Sequence, residues 1–524
     1  MNRRLWLALI GCVVGMLTAF VAAELADMHA ASQPSDLPQA TIPAFPGAEG
    51  AGAFTPGGRG GKVYVVTTLE DYDPNTESPI PGSFRAAAEA KEPRIIVFGI
   101  GGPITLKAQV NIDSPYVTIA GQSAPGDGIC IRGETVAINT HDVVIRYMRF
   151  RRGPADRHDD ALGGHPIGNI IVDHCSASWG LDENLSIYRH VYRPPGKGMQ
   201  KLPTVNVTIQ WSITSEALNT YHHAFGGIWG GKNTSFHHNL IACNTGRNPD
   251  IGMTYDFNLV NNVIFNWQHR SADGGDEGSL GNFINNYFKP GPAVHPGSVQ
   301  YRIIRPDGKK FPRGPLLPSG EHQYPRGTTL PSVGMFGQWY VAGNIMEGNE
   351  KVTADNWDGG VQFGRAGDYT PEEVQQIAKA ARVDKPFPMA PLRIQPAKEA
   401  YELVLAGAGD TLPVRDAVDK RIVEEVRTGK VTFQDGIIID PQQVGGWPEY
   451  KSAPVPKSSV GDGIPDAWKI AHGLDPNDPN VASAPSRCKD GYTNIEEYLN
   501  GTNPDVFVDY KDPNNNVNTL KAAP

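Results

Sequence analysis

The chain has 524 residues, 40% of them hydrophobic and 20% charged, with 59 glycines, 44 prolines and a formal net charge of −9. This is too apolar for a disordered chain, and the glycine and proline content suits many short strands joined by turns. The negative charge argues against nucleic acid as a partner, and an acidic polymer would need a local basic groove or bound cations to approach.

Residues 1–23 read MNRRLWLALIGCVVGMLTAFVAA, in which Arg3 and Arg4 precede an apolar run ending in small residues. This is the pattern of a secretory signal peptide, so the mature protein is expected to be secreted or periplasmic, without membrane contact after cleavage. The run from Leu5 to Ala23 also leaves a retained anchor open. Residues 24–42 read as a polar linker, with ordered structure beginning near Pro43. Of the five cysteines, Cys12 lies in the leader, while Cys130, Cys175, Cys243 and Cys488 are widely spaced and form no CxxC. Three of these four sit in strand-like segments, so buried thiols rather than a disulfide framework are expected.

From Pro43 onward strand-like segments recur: VTIAGQ (117–122), VVIRYM (143–148), IIVDHC (170–175), VTIQWS (207–212), SFHHNL (235–240), NLVNNV (258–263) and NFINNY (282–287). Aligning their fifth residues, Gly121, Tyr147, His174, Trp211, Asn239, Asn262 and Asn286, gives steps of 26, 27, 37, 28, 23 and 24 residues. A minimal step with variable insertions predicts a parallel β-helix, in which each coil is one repeat and the insertions build the binding face. Asn239, Asn262 and Asn286 are predicted to stack on successive coils and bond one another.

The chemistry-bearing residues lie between 146 and 270. IIVDHCSASWGLDENLSIY (170–188) resembles the DHC signature of family 1 polysaccharide lyases, the pectate lyases, and FHHNLIACNTGRNPDIG (236–252) resembles their arginine-bearing segment. AFPGAEGAGAFTPGGRGGKVYVVTTL and GSFRAAAEAKEPRIIVFGIGGPI resemble the start of the same enzymes, with Phe84–Ala90 as a short helix capping the open end. The resemblance covers residues 43–365 and implies an all-β, right-handed parallel β-helix, a calcium site and an acidic sugar substrate.

Eliminative cleavage of a uronate polymer needs a cation to acidify the proton beside the carboxylate, a base to remove it, and groups that hold the neighbouring carboxylates. On the resemblance, calcium ligands fall on Asp160 in RHDDALGG and on Asp182; the third falls on Ser186, with Glu183 as the replacement carboxylate. The base falls on Arg247, with Pro249 in register, whereas the family's second arginine is replaced by Gly252. Its substrate-binding lysine has no counterpart before Lys232; Glu216, His222 and His223 stand in that loop, as sugar ligands or as an acid toward the leaving oxygen. The resemblance assigns Asp173 and His174 to packing. Arg149 and Arg151 share a strand face, and either form a ridge for substrate carboxylates or line a solvated edge; Arg270 follows Arg247 by one coil.

Beyond residue 366 the pattern turns helical, at TPEEVQQIAKAARV (370–383), AKEAYELVLAGAG (397–409) and RDAVDKRIVEEVRTGK (415–430). Residues 366–439 are therefore expected to form a helical extension packed on the solenoid, followed by a linker (440–457), a small module (458–503) and a tail (504–524). The module's GDGIPDAWKIAHGLDPNDPN and RCKDGYTNIEEYLNGTNPD resemble the calcium loops of dockerins and thrombospondin type 3 repeats. A twelve-residue loop centred on Gly463 would use Asp462 and Asp466, and one centred on Gly491 would use Asp490 and Glu497, each with lost ligands. The module is expected to hang on a flexible linker.

The expected function is that of a monomeric, calcium-dependent lyase on polygalacturonate. The alternatives are a lyase for another uronate polymer, a glycoside hydrolase using paired carboxylates such as Glu183 and Glu216, and a non-catalytic carbohydrate-binding β-helix.

Overall fold

The computed structural model describes residues 37–192, 198–308, 335–364 and 368–520; the leader 1–23 and most of the 24–42 segment lie outside them. Successive strands pair in parallel with the strand one coil away, which is the expected parallel β-helix. A ten-stranded first sheet runs from Lys62–Val66 to Gln338–Ala342, and a nine-stranded second sheet from Gly102–Thr105 to Ile345–Met346. The third sheet is split. Its lower part pairs Val110–Ile112, Val136–Ile138 and Leu162–Gly164; its upper part pairs Ile228–Gly230, Asp250–Gly252, Ala272–Gly274 and Ile304–Pro306.

The interior is built by apolar side chains that stack from coil to coil. Ile119, Ile145, Val172, Ile209, Phe236, Leu259, Phe283 and Val341 are register partners along the first sheet and all are buried. This stack places β-branched and aromatic residues where parallel strands bury both faces. Phe84–Ala88 forms the short helix expected near the N-terminal end, capped by the Ser83 side chain.

The register corrects one part of the sequence alignment. Val207 pairs with Thr234, so the counterpart of Trp211 is His238 and not Asn239. Two ladders result. Tyr147, His174, Trp211, His238, Asn261 and Asn285 turn the corner between the first two sheets with positive φ, and the first four rings stack at centroid distances of 4.8, 5.9 and 4.3 Å. One residue later, Asn239, Asn262, Asn286 and Asn344 donate side chain to side chain at 2.8–3.0 Å, as expected for the asparagine stack. The aligned segments have similar apolar patterns, and a one-residue offset between them becomes visible only when strands pair.

The helices follow their sequence signals. Pro371–Ala381 starts at a Thr370 capping box, Ala397–Gly407 ends before Ala408, and Ala417–Thr428 runs from an Asp416 cap to a left-handed Gly429. The last two press Val404, Leu405, Ile422 and Val426 onto Ile213, Leu240 and Phe265 of the second sheet. Residues 458–503 do not hang free. Ile464, Ala482, Ile495 and Leu499 cover Ile95, Val97 and Ala120 on the outer face of the first sheet, and Glu496 pairs with Arg59. Within the expected linker, Trp447 donates to Arg151 O and Tyr450 to Asp416, while 451–457 is exposed. Asn516 of the tail bonds Gly47 and Ala48. No helix among the described residues is long and apolar enough to cross a membrane.

Candidate metal and catalytic site

The split in the third sheet makes the site. Where a continuous sheet would place a strand, residues 182–187 are joined to their neighbours by single bridges: Leu162 to Leu185, Glu183 to Phe225, and Ile187 to Trp229. Side chains here do not alternate strictly, so Asp182 and Glu183 both face the same cleft. Carboxylate oxygens of Asp160, Asp182 and Glu183 lie within 4.8 Å of one another.

Asp160 ends the preceding loop, and its Oδ1 accepts from Glu183 N at 3.1 Å. Burial, then repulsion from Asp182 and Asp159, pushes its carboxyl well above the usual range, with Arg247 opposing. The negative charge of the group is therefore not balanced by the nearby arginine alone. Oxygen donors of this kind in a small cleft fit a hard divalent cation such as calcium, and Asp160, Asp182 and Glu183 would hold it. Ser186 lines the same cleft, but its hydroxyl accepts from Ile228 N at 3.0 Å and so is occupied in closing the coil.

Arg247 sits at a left-handed corner (φ 52°) after the FHHN strand. Its guanidinium contacts the Glu183 carboxylate, lies 3.8 Å from Asp182 Oδ1, and stands over the Phe225 ring at 4.3 Å. Arg270 lies over the same ring at 4.9 Å and donates to Asp273 at 3.0 Å. Phe225 is thus the shelf for two cations on neighbouring coils. His223 packs against Phe225 at 4.1 Å and pairs with Asp182. His222 is exposed at the turn before it. At Gly252 a Cβ would lie 2.6 Å from the Tyr188 ring, so a larger residue there would displace Tyr188 from the cleft wall.

The cleft holds about 230 Å³ and continues from the carboxylates past Arg157, His165, Tyr188 and Arg189. Burial, then Arg189 and Lys201, lowers the His165 imidazole below its usual value. A larger cavity of 390 Å³ between Trp211 and Arg393 touches none of these groups.

Several expected residues lie elsewhere. Arg149 and Arg151 do share a face, but it is covered by the helical extension: both are fully buried, Arg149 against Asp410 and Asp416, Arg151 against Asp416 and Asp419. They form neither a substrate ridge nor a solvated edge. Glu216 is buried and bonds both Arg421 nitrogens at 2.7 and 2.8 Å, with Trp179 Nε1 donating at 3.2 Å, so it anchors the helix Ala417–Thr428 and not a sugar. Asp173 accepts from Arg146, His174 and Gln210 within the corner ladder.

In the C-terminal module, Lys469 stands at position twelve of the first loop, and its ammonium lies 2.7–2.8 Å from the Asp462 carboxylate. Asp466 accepts from Ser459 N and Oγ. The Lys469 ammonium therefore pairs with Asp462, which corrects Asp462 as a calcium ligand. In the second loop Asp490 and Glu497 converge with Cys488.

The residues that sequence reasoning missed are Arg157, His158 and Arg189. The first two stand before Asp159 and Asp160 in RHDD, and Arg189 directly follows the DENLSIY stretch; adjacency to the acidic positions was their only signal.

No family model matches the chain. It is 32% identical over 472 residues to a protein named probable pectate lyase C from Aspergillus terreus, covering 88% of this chain and 95% of that protein. It is 33% identical over 477 residues to the protein of the same name from Aspergillus flavus, covering 89% and 95%. Among solved structures, the major allergen of cedar pollen, jun a 1, aligns with 69% of this chain and 92% of its own at 16% identity and a TM-score of 0.42.

Proposed function

The chain belongs to the pectate lyase family and is a polysaccharide lyase, and we propose that it cleaves polygalacturonate by calcium-assisted β-elimination, with Asp160, Asp182 and Glu183 as metal ligands and Arg247 as base. The observation that carries this reading is the convergence of those three carboxylates beside an arginine held on Phe225.

Calcium, when bound, supplies positive charge at the substrate carboxylate and so acidifies the proton on the adjacent carbon. Asp160 is oriented for its part by Glu183 N, and Asp182 by the backbone bonds of residues 181–182 to Asp159 O. Arginine is ordinarily protonated, and the Arg247 guanidinium is paired with the Glu183 carboxylate. To act as base Arg247 must first release one guanidinium proton to solvent, with Glu183 turned from it toward the metal position, so that a neutral guanidine nitrogen is free to accept. The proton then passes to Arg247, the carbon–carbon double bond forms, the glycosidic carbon–oxygen bond breaks, and the leaving oxygen takes a proton from His223 or water. Arg270, Arg157 and Arg189 supply planar donors for the carboxylates of neighbouring sugar units, which answers the objection from net charge. The leader at residues 1–23 supports export to the place where such a polymer is met.

The test is to incubate the protein with a panel of polyuronates and follow the absorbance of the unsaturated product, with and without chelator. Absorbing product that disappears with chelator supports the reading. Reducing ends without absorbance would mean hydrolysis, and preference for another polymer would replace polygalacturonate as the substrate.

A further inference from the structure

Asp182 also belongs to a second constellation, shared with His158 and His223. His158 Nε2 lies 4.0 Å from Asp182 Oδ1, His223 Nδ1 contacts the same oxygen, and the ligand atoms of His158, Asp182 and His223 all lie within 4.8 Å of one another. Asp182 Oδ1 and His223 Nδ1 are buried atoms that complete no well-formed hydrogen bond, although they face each other. His158 is exposed and His223 half-buried, so the group borders solvent on the His158 side.

The imidazoles are held from outside. His158 packs on the Tyr221 ring at 5.1 Å and meets His223 edge to face at 5.2 Å. The loop that carries Tyr221 and His223 is pinned by Asn219 N and Thr220 Oγ1, which donate to Ile438 O and Ile439 O of the C-terminal extension at 2.8 and 3.1 Å. Two neutral imidazole nitrogens with one carboxylate oxygen form a donor set for zinc, cobalt or nickel, with a position left for water; calcium prefers oxygen alone.

We propose that His158, Asp182 and His223 bind a transition-metal dication of the zinc type, and that its occupancy inhibits the enzyme by withdrawing Asp182 and His223 from the catalytic group. The binding site stands on its own geometry; only the inhibition rests on the lyase reading.

The experiment is calorimetric titration of the metal-stripped, full-length protein with Zn2+ alone, paired with visible absorption of the Co2+ form. A Cys488→Ser background keeps the Cys488, Asp490 and Glu497 group from contributing. His158→Gln and His223→Gln should each weaken Zn2+ binding by roughly tenfold or more and abolish the Co2+ bands. His222→Gln, an exposed neighbour, and Glu183→Gln, which removes only an oxygen ligand of the calcium group, should leave both unchanged. Unaltered Zn2+ affinity in His158→Gln and His223→Gln, or an equal loss in His222→Gln, would overturn the site. Zn2+ binding as described without loss of lyase activity would overturn the inhibition and leave the site standing. Failure of the calcium reading would appear separately, as chelator-insensitive turnover.

Discussion

The Glu183 carboxylate reaches across two coils to the guanidinium of Arg247, through the bridges that pair Glu183 with Phe225 and Phe225 with Gly246. A proposed metal ligand and the proposed base are therefore partners. The contact keeps a cation beside three clustered acids, and it couples the state of the base to the state of the metal site.

Arg247→Lys keeps the charge and loses the planar fork over Phe225. If Arg247 removes the proton, turnover at saturating substrate should fall by about 10²-fold or more while KM changes little. A raised KM with preserved turnover would make Arg247 a carboxylate clamp and leave His223 as the remaining nearby base, since Glu216 is committed to Arg421.

Asp182→Ala and Glu183→Gln should each weaken calcium binding in calorimetry without loss of the folded circular dichroism spectrum. Because burial and Asp182 push the Asp160 carboxyl up, calcium uptake by the native protein should release protons. The measured heat should therefore change with the ionisation enthalpy of the buffer. Heat that is independent of buffer would show that Asp160 is already ionised.

His238 stacks on Trp211 and is held neutral, its imidazole lowered to about 4 chiefly by burial. An unfolded histidine titrates near ~6.5, so between that pH and about 4 the unfolded chain binds a proton that the folded chain refuses. This contribution to stability is complete above about 6.5 and is lost as pH falls, by about 1.4 kcal/mol per pH unit for one group. His238→Asn, which copies Asn261 on the next coil, should flatten the fall of Tm between those limits; an unchanged slope would assign it to other groups.

A chain ending at Tyr450 lacks the module that covers Ile95, Val97 and Ala120. Its Tm should drop by about 5 °C or more from the uncovered apolar face. Turnover at 25 °C should persist, because no described residue beyond 450 lines the catalytic cleft. Loss of turnover in a folded truncated chain would assign the module a part in shaping the site.

The repeat was legible because one coil is a local unit. Each supplies an inward apolar residue such as Ile145, Val172 or Ile209 and a corner residue with positive φ, and stacking repeats both with the period of the sequence. The asparagine stack was legible for the same reason. Asp160, Asp182 and Arg247 stand beside motifs, so their positions could be read before their contacts. Tertiary structure decided the rest. Arg149 and Arg151 are ligands of nothing outside the protein because Asp410, Asp416 and Asp419, some 260 residues later in the chain, arrive to neutralise them. Lys469 could be read from the sequence at position twelve of its loop, but its ion pair with Asp462 is a contact that only the folded chain shows. His158, Asp182 and His223 meet because coils of unequal length bring separate insertions to one end of a split sheet. A charged side chain takes its meaning from what packs against it, and that partner is chosen by the folded chain.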